Sequence, residues 1–284
     1  MKTKIINNLH CKKLLIYLAL IIFGVIFVYP FLFLVSATFK SNEEVMTSLN
    51  LIPGSVKFDA YINGWKGVGQ YSFNLFFMNS FKLVIPVVAF TICSSILVAY
   101  GFARFQFKGN RILFLILLST LMLPNAILVI PKYILFRQLN WLDSYLPFIV
   151  PSIFATHPFF IFAMVQFFRG IPRELDESAM IDGSGSFSTL VRILVPLLKP
   201  AIFSTAIFQF LWTWNDFFNS LIYINSVKNY TVMLGLRMAI DTQSGINWSQ
   251  VMATSLLSML PPILLFFFCQ RYFIEGIATT GLKG

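Results

Sequence analysis

The sequence predicts an all-α integral membrane protein with six transmembrane helices. Of its 284 residues 57% are apolar, 17% are aromatic and only 11% are charged, far from the balance of a soluble domain. Apolar runs of about 20 residues recur, the length a helix rising 1.5 Å per residue needs to cross roughly 30 Å of hydrocarbon. Lysine and arginine gather on alternate loops, as they do when a chain threads back and forth through a bilayer. Six such runs fill the chain and leave no room for a soluble domain. A twelve-span carrier would need two chains.

An N-terminal arm, 1–13, carries Lys2, Lys4, Lys12 and Lys13. The first span is placed at 14–36, longer than the 7–15 residues of a signal-peptide apolar region, and is read as retained. Further spans are expected at 81–103, 112–134, 145–168, 200–223 and 250–273, followed by a tail over 274–284. The short second loop holds Arg104, Lys108 and Arg111; the region after the fourth span holds Arg169, Arg173, Arg192 and Lys199; Arg271 and Lys283 close the chain. The alternate loops are longer yet carry fewer basic residues, so both termini are expected in the cytoplasm of a bacterial cell, with the chain in its inner membrane. The formal net charge of +10 is then mainly a topology signal and calls for no nucleic acid.

Cys11 falls in the arm, and Cys93 and Cys269 fall inside apolar spans, so no outward loop offers a disulfide pair. His10 and His157 are far apart in sequence. Metal-ligand spacing, a phosphate-binding glycine loop and a nucleophile elbow are all missing. The chain therefore does not read as an enzyme, and if it uses ATP another chain must hydrolyse it.

The acidic residues concentrate in one polar hairpin, 171–196. Pro172 suits a first helical turn, and Glu174, Asp176 and Glu177 follow where the helix dipole favours anions. "DGSGS" at 182–186 breaks the helix with two glycines and serine caps. Beyond it Phe187, Leu190, Val191 and Leu194 share one face of a second helix, and Pro196 and Pro200 lead into the fifth span. An amphipathic hairpin could lie on the membrane, but interfacial helices carry lysine and arginine on the polar face, and this one is acidic. The same sign counts against DNA. A protein partner is the better receiver.

The stretch "ESAMIDGSGSFSTLVRILVPLLKP" resembles the EAA loop of permease subunits of ATP-binding-cassette importers. "WTWNDFFNSLIYI" at 212–224, "LMLPNAILVIPKYILFRQLNWLDSYLPFIVPS" at 121–152 and the C-terminal "MLPPILLFFFCQRYFIEGIATTGLKG" resemble the sugar-importer branch, specifically its maltose-type second permease. Ser178 replaces the central alanine of the usual Glu-Ala-Ala. The resemblance implies a type I ABC importer permease fold and a heterodimer with a homologous second permease. It further implies two cytoplasmic ATP-binding subunits that hold ATP and magnesium, and an extracellular or periplasmic sugar-binding protein, with no cofactor or metal on this chain. It also implies that the hairpin docks in a groove on the ATPase. Glu177 would contact or orient polar groups there, Ser178 and Ala179 would permit close approach, Asp182 would cap the turn and Gly183 would allow it. The tail "GIATTGLKG" would reach the interface between the ATPases.

Trp212, Trp214, Asn215 and Asp216 form a possible substrate path, with aromatics for sugar faces and polar groups for hydroxyls. The alternative is an aromatic belt in which Asp216 sits near the headgroups or caps a helix break. His157, beside Pro158, reads either as a proton relay or, by the preferred reading, as bonded to a carbonyl freed by the proline. The loop 225–247 is long for a link between spans, with Gly235 and Gly245 as possible hinges. In maltose-type relatives this loop enters the binding protein's cleft, which implies such a role for Gly235, Leu236, Asp241 and Gly245; a short helix packed back through Leu234, Met238 and Ala239 is the alternative. Two other functions compete with an importer permease: a secondary proton-coupled carrier using His157 and Asp216, and a non-conducting membrane subunit.

Overall fold

A computed structural model describes residues 2–241 and 245–281, with side chains described over 15–241 and 245–270 and at Lys13. Its helices run in the order α1 Lys2–Ala37, α2 Asn42–Thr47, α3 Asp59–Lys66, α4 Phe73–Arg104, α5 Asn110–Thr120, α6 Asn125–Gln138, α7 Leu146–Ile153 and α8 Pro158–Gly170. The hairpin region follows as α9 Glu174–Ile181, α10 Ser186–Thr189, a π-helical turn Leu190–Leu194 and α11 Val195–Leu197. Then come α12 Lys199–Trp214, α13 Phe217–Tyr223, a 3-10 turn Val227–Asn229, α14 Val232–Ile240 and α15 Trp248–Gly281.

Among the described residues four stretches are long and apolar enough to cross a membrane, Leu15–Ala37, Phe73–Arg104, Leu146–Gly170 and Trp248–Gln270, the third of them interrupted between α7 and α8. Two bent pairs bring the number to six. The expected span 112–134 is not one helix, because α5 and α6 meet at 100°. Pro124 explains the break: it holds an extended backbone with ψ 136°, and the residue before a proline is steered away from the helical region. The second bent pair, Ser186–Leu197 with Lys199–Trp214, turns by 76° where the hairpin enters the fifth span.

The chain divides into two compact units. In the first, residues 1–73 and 236–258, the segment after α1 is tied down by polar contacts. Ser41 caps α2 by accepting the Glu44 N–H at 3.3 Å, and the Glu44 carboxylate accepts the Gly54 N–H at 2.8 Å. The ammonium of buried Lys40 lies over the Phe33 ring and donates to the Asn50 carbonyl. Asn42 accepts the Trp248 N–H at 2.7 Å, fixing the start of α15 to this segment.

The second unit, residues 74–235 and 259–284, holds a core where α4, α8 and the hairpin meet. Ile96, Ala99, Tyr100 and Ala103 of α4 pack with Ile161, Met164, Val165 and Phe168 of α8 and with Leu190, Leu194, Leu198 and Ala201. Among lipid-surrounded helices such association is driven by close packing and interhelical hydrogen bonds rather than by exclusion of water. Ser94 of α4 supplies one, donating to the Ser152 carbonyl of α7 at 2.8 Å.

α7 stops at Ile153, Ala155 takes a left-handed φ of 54°, and α8 restarts at Pro158. Near the break Ser94 donates to the Ser152 carbonyl and the Thr156 hydroxyl donates to the Pro151 carbonyl at 2.9 Å. The His157 ring instead lies edge-on to Phe160, 6.3 Å between centroids.

Candidate functional site

The hairpin is built from its ends inward. α9 has no side-chain cap and begins with Glu174, Asp176 and Glu177 in its first turn, where carboxylates oppose the exposed N–H dipoles. It ends in a complete Schellman motif. Gly183, with φ 75°, donates to the Met180 carbonyl at 3.0 Å, and Ser184 donates to the Ala179 carbonyl at 2.8 Å. Only glycine takes that left-handed position without strain, so Gly183 fixes where the helix stops. Asp182 is the C-terminal cap residue of α9. The Ser178 hydroxyl turns back to the Glu174 carbonyl at 2.8 Å, which leaves a small, smooth surface, and Ala179 is buried.

The expected serine caps are not used: α10 starts after Gly185 with no side-chain cap. The second helix is also not a uniform stripe. Leu190 and Leu194 are buried while Phe187 and Val191 are exposed, because the backbone widens to a π turn in which the Val195 N–H donates to the Leu190 carbonyl. Pro196 is the physical cause, since it cannot donate to the carbonyl four residues back and the ladder shifts by one.

Its root is fastened to the end of α4. Arg104 and Asp176 form an ion pair at 3.1 Å with side chains only 7% and 16% exposed. Arg104 also donates to the Ile171 carbonyl at 3.0 Å, and the Tyr100 hydroxyl donates to the Ser186 carbonyl at 3.0 Å. The tip points away from this core with apolar side chains uncovered: Met180 is 66%, Ile181 87% and Phe187 70% exposed. Glu177, Ser178, Asp182 and Gly183 are exposed beside them. The root is thus fastened by buried polar contacts while the tip leaves its apolar side chains uncovered. Sequence reasoning missed the Arg104–Asp176 pair and the tip triad.

The four residues of the candidate path separate. Trp214 is buried, stacked on Phe210 at 5.4 Å and packed near Phe81 at 5.0 Å, which takes it out of any exposed lining. Two positions along a helix point about 200° apart, so Trp212 emerges on another side, half exposed against Phe159 and Phe160 at 5.3 and 5.0 Å. Asn215 is exposed, donating to the Leu211 carbonyl at 2.9 Å. Asp216 caps α13: its carboxylate accepts the Asn219 N–H at 3.1 Å and the Asn219 amide at 3.0 and 2.8 Å. It thus marks the helix break.

The loop that opens 225–247 is clamped by Asp143, a residue the sequence did not single out. With a left-handed φ of 57°, Asp143 turns its carboxylate to accept the N–H groups of Asn225 and Ser226 at 3.0 and 2.7 Å and the Ser226 hydroxyl at 2.5 Å. Asn229 donates to the Asp143 carbonyl at 2.8 Å. Partial burial acts to raise its pKa, but these hydrogen bonds to the charged form outweigh it and hold Asp143 below the usual carboxylate value. Farther on, α14 forms, and Gly235 is not a hinge: a Cβ there would sit 2.3 Å from the Phe76 ring. Leu234 is buried, Leu236 is partly buried, and exposed Asp241 pairs with Arg237 at 2.9 Å. Gly245 adopts φ 94°. Residues 242–244 of this loop and 282–284 of the tail lie outside the described residues. No cluster of three metal-binding side chains occurs among the described residues.

Residues 91–279 match the family described as binding-protein-dependent transport system inner membrane component. The chain is 34% identical over 260 residues to the arabinooligosaccharides transport system permease protein AraQ of Halalkalibacterium halodurans, covering 90% of this chain and 91% of that one. It is 28% identical to the trehalose/maltose transport system permease protein MalG of Thermococcus litoralis, covering 96% and 98%. Its fold matches a bacterial ABC transporter involved in import of the acidic polysaccharide alginate, with TM-score 0.79 at 22% identity over 93% of this chain and 97% of that one.

Proposed function

Because the chain belongs to the family of binding-protein-dependent transport system inner membrane components, we propose that it is the second permease of an ATP-driven importer of sugars or oligosaccharides. Family membership sets aside the secondary carrier and the non-conducting subunit. A related permease would complete the path, two separate ATPases would supply the energy through their own bound ATP and magnesium, and a binding protein would deliver the sugar. Both termini and the hairpin would face the cytoplasm, in accord with the distribution of lysine and arginine.

The hairpin would seat Met180, Ile181 and Phe187 in the ATPase groove, with Glu177 and Asp182 at the polar rim and Ser178 and Gly183 allowing close approach, whereas Ala179, expected at that face, is buried and would only support it from behind. The observation that carries this reading is the contrast between an uncovered apolar tip and a root locked by Arg104 and Asp176. Exposed apolar clusters rimmed by polar residues mark interaction sites. Motion of the ATPase would pass through that root to α4 and α8. Trp212 and Asn215 are the remaining candidates for the sugar path, whereas Asp216 holds the shape of the break. Residues 235–245 would probe the open binding protein during transfer.

The test is the double substitution Ile181→Asp with Phe187→Asp. Both side chains are exposed, so insertion should be normal and the second permease should still co-purify, while the ATPases should not. ATPase recovery equal to wild type would overturn the docking assignment.

A further inference from the structure

At the hairpin end of the second unit a cavity of about 1070 Å³ opens between the α4–α5 loop, the end of α8 and the start of α9. Four arginines line it, Arg104, Arg111, Arg169 and Arg173, against one carboxylate, Glu174. Arg104 is neutralised by Asp176. The other three are exposed and have no ion pair among the described residues. Arg169 is held over the Phe114 ring at 5.0 Å, and Arg173 approaches the Ala103 carbonyl at 3.5 Å, so two of the three guanidinium groups are already positioned.

Backbone geometry adds to the positive field. Gly109 starts α5 with φ 90° and no side-chain cap, and the Arg111 and Ile112 amides lack an acceptor among the described residues. Uncapped first-turn amides beside guanidinium groups favour a phosphate-like anion. The rim is apolar: Phe105, Phe107 and Ile112 line the cavity and are exposed, and Leu113, Leu115 and Ile116 continue the exposed face along α5. That rim lies at the start of α5, part of one of the candidate spans.

We propose that this cavity holds the phosphate headgroup of an anionic phospholipid from the leaflet on the hairpin side, its acyl chains lying along α5. A free inorganic phosphate would use the arginines but not the exposed phenylalanines. Basic pockets between membrane helices are suited to such headgroups, and occupancy would brace the junction of α4, α8 and α9 from which the hairpin projects.

The test uses the full-length chain purified in mild detergent and does not depend on transport. Retained lipid is counted by native mass spectrometry during titration with phosphatidylglycerol, with phosphatidylcholine of the same acyl chains, and with millimolar phosphate. Wild type should retain phosphatidylglycerol in preference to phosphatidylcholine. Arg111→Gln with Arg169→Gln, both at exposed sites, should weaken that retention by about fivefold per arginine, while Arg237→Gln in the other unit should leave it unchanged. Equal retention of the two lipids, an unchanged double variant, or phosphate binding as tightly as the lipid would each overturn the proposal. ATPase recovery by the Ile181→Asp, Phe187→Asp variant equal to wild type, with the lipid preference intact, would count against the docking reading alone.

Discussion

Replacing Asp176 with asparagine tests the lever at its root. The substitution keeps size and removes the charge, leaving the Arg104 guanidinium, 7% exposed, with a single hydrogen bond among the described residues, to the Ile171 carbonyl at 3.0 Å. Orphaning one member of a buried pair costs about 3–5 kcal/mol. Asp176 is 16% exposed, so water relieves part of the loss and about 3 kcal/mol, the low end, is the expected cost. At about 1.4 kcal/mol per tenfold, opening of the root should become roughly 150-fold more frequent. Hydrogen–deuterium exchange of the full-length chain in nanodiscs reads this directly, as faster exchange of α9 and residues 183–189 with α12 unchanged. The pair Arg104→Met with Asp176→Leu, which removes both charges, should recover most of the protection. Exchange in Asp176→Asn within about threefold of wild type, against the roughly 150-fold expected from an orphaned charge, would refute the claim that this pair secures the hairpin.

Gly183→Ala should cost about 1 kcal/mol for the left-handed backbone, and Gly183→Pro more, since it also removes the N–H that donates to Met180; uptake should fall for both at unchanged membrane level. Gly235→Ala should destabilise by about 1–3 kcal/mol through overpacking against Phe76, read as a lower Tm of the purified chain. The Asp143 clamp carries a definite pH signature. A depressed carboxylate pKa contributes its stability fully above the ordinary value near ~3.9, and loses it as pH falls through the lower folded value. After correction for intrinsic rates, protection of the Asn225 and Ser226 amides should therefore be flat from about pH 8 to 5 and decline only below about pH 4. Asp143→Asn should lose that dependence and expose the loop at neutral pH.

The fold class was legible because apolar length and basic-residue bias act on whole segments. The hairpin was legible for a similar reason: three acids, a double glycine and a following apolar face are local signals. What stayed hidden depends on neighbours distant in sequence. Arg104 and Asp176 are 72 positions apart, and nothing local distinguishes that arginine from Arg111. Asp143 clamps a loop more than 80 residues away. Trp214 looked like Trp212 until helix geometry buried one against Phe210 and Phe81 and left the other half exposed. Apolar continuity also concealed the 100° bend between α5 and α6, since hydrophobicity measures length of burial in lipid, not straightness.

If the ATPase grips the hairpin tip as proposed, a photo-reactive phenylalanine analogue at Phe187 in the assembled transporter will capture that contact. The same analogue at Phe267, an exposed residue of α15, serves as the lipid-facing control. Irradiation should cross-link position 187 to the ATP-binding subunit, with a yield that changes when ATP is added, and position 267 should give no such product. Cross-linking of position 187 to lipid alone, or to nothing, in an assembly that still hydrolyses ATP on addition of loaded binding protein would show that the ATPase does not hold the tip.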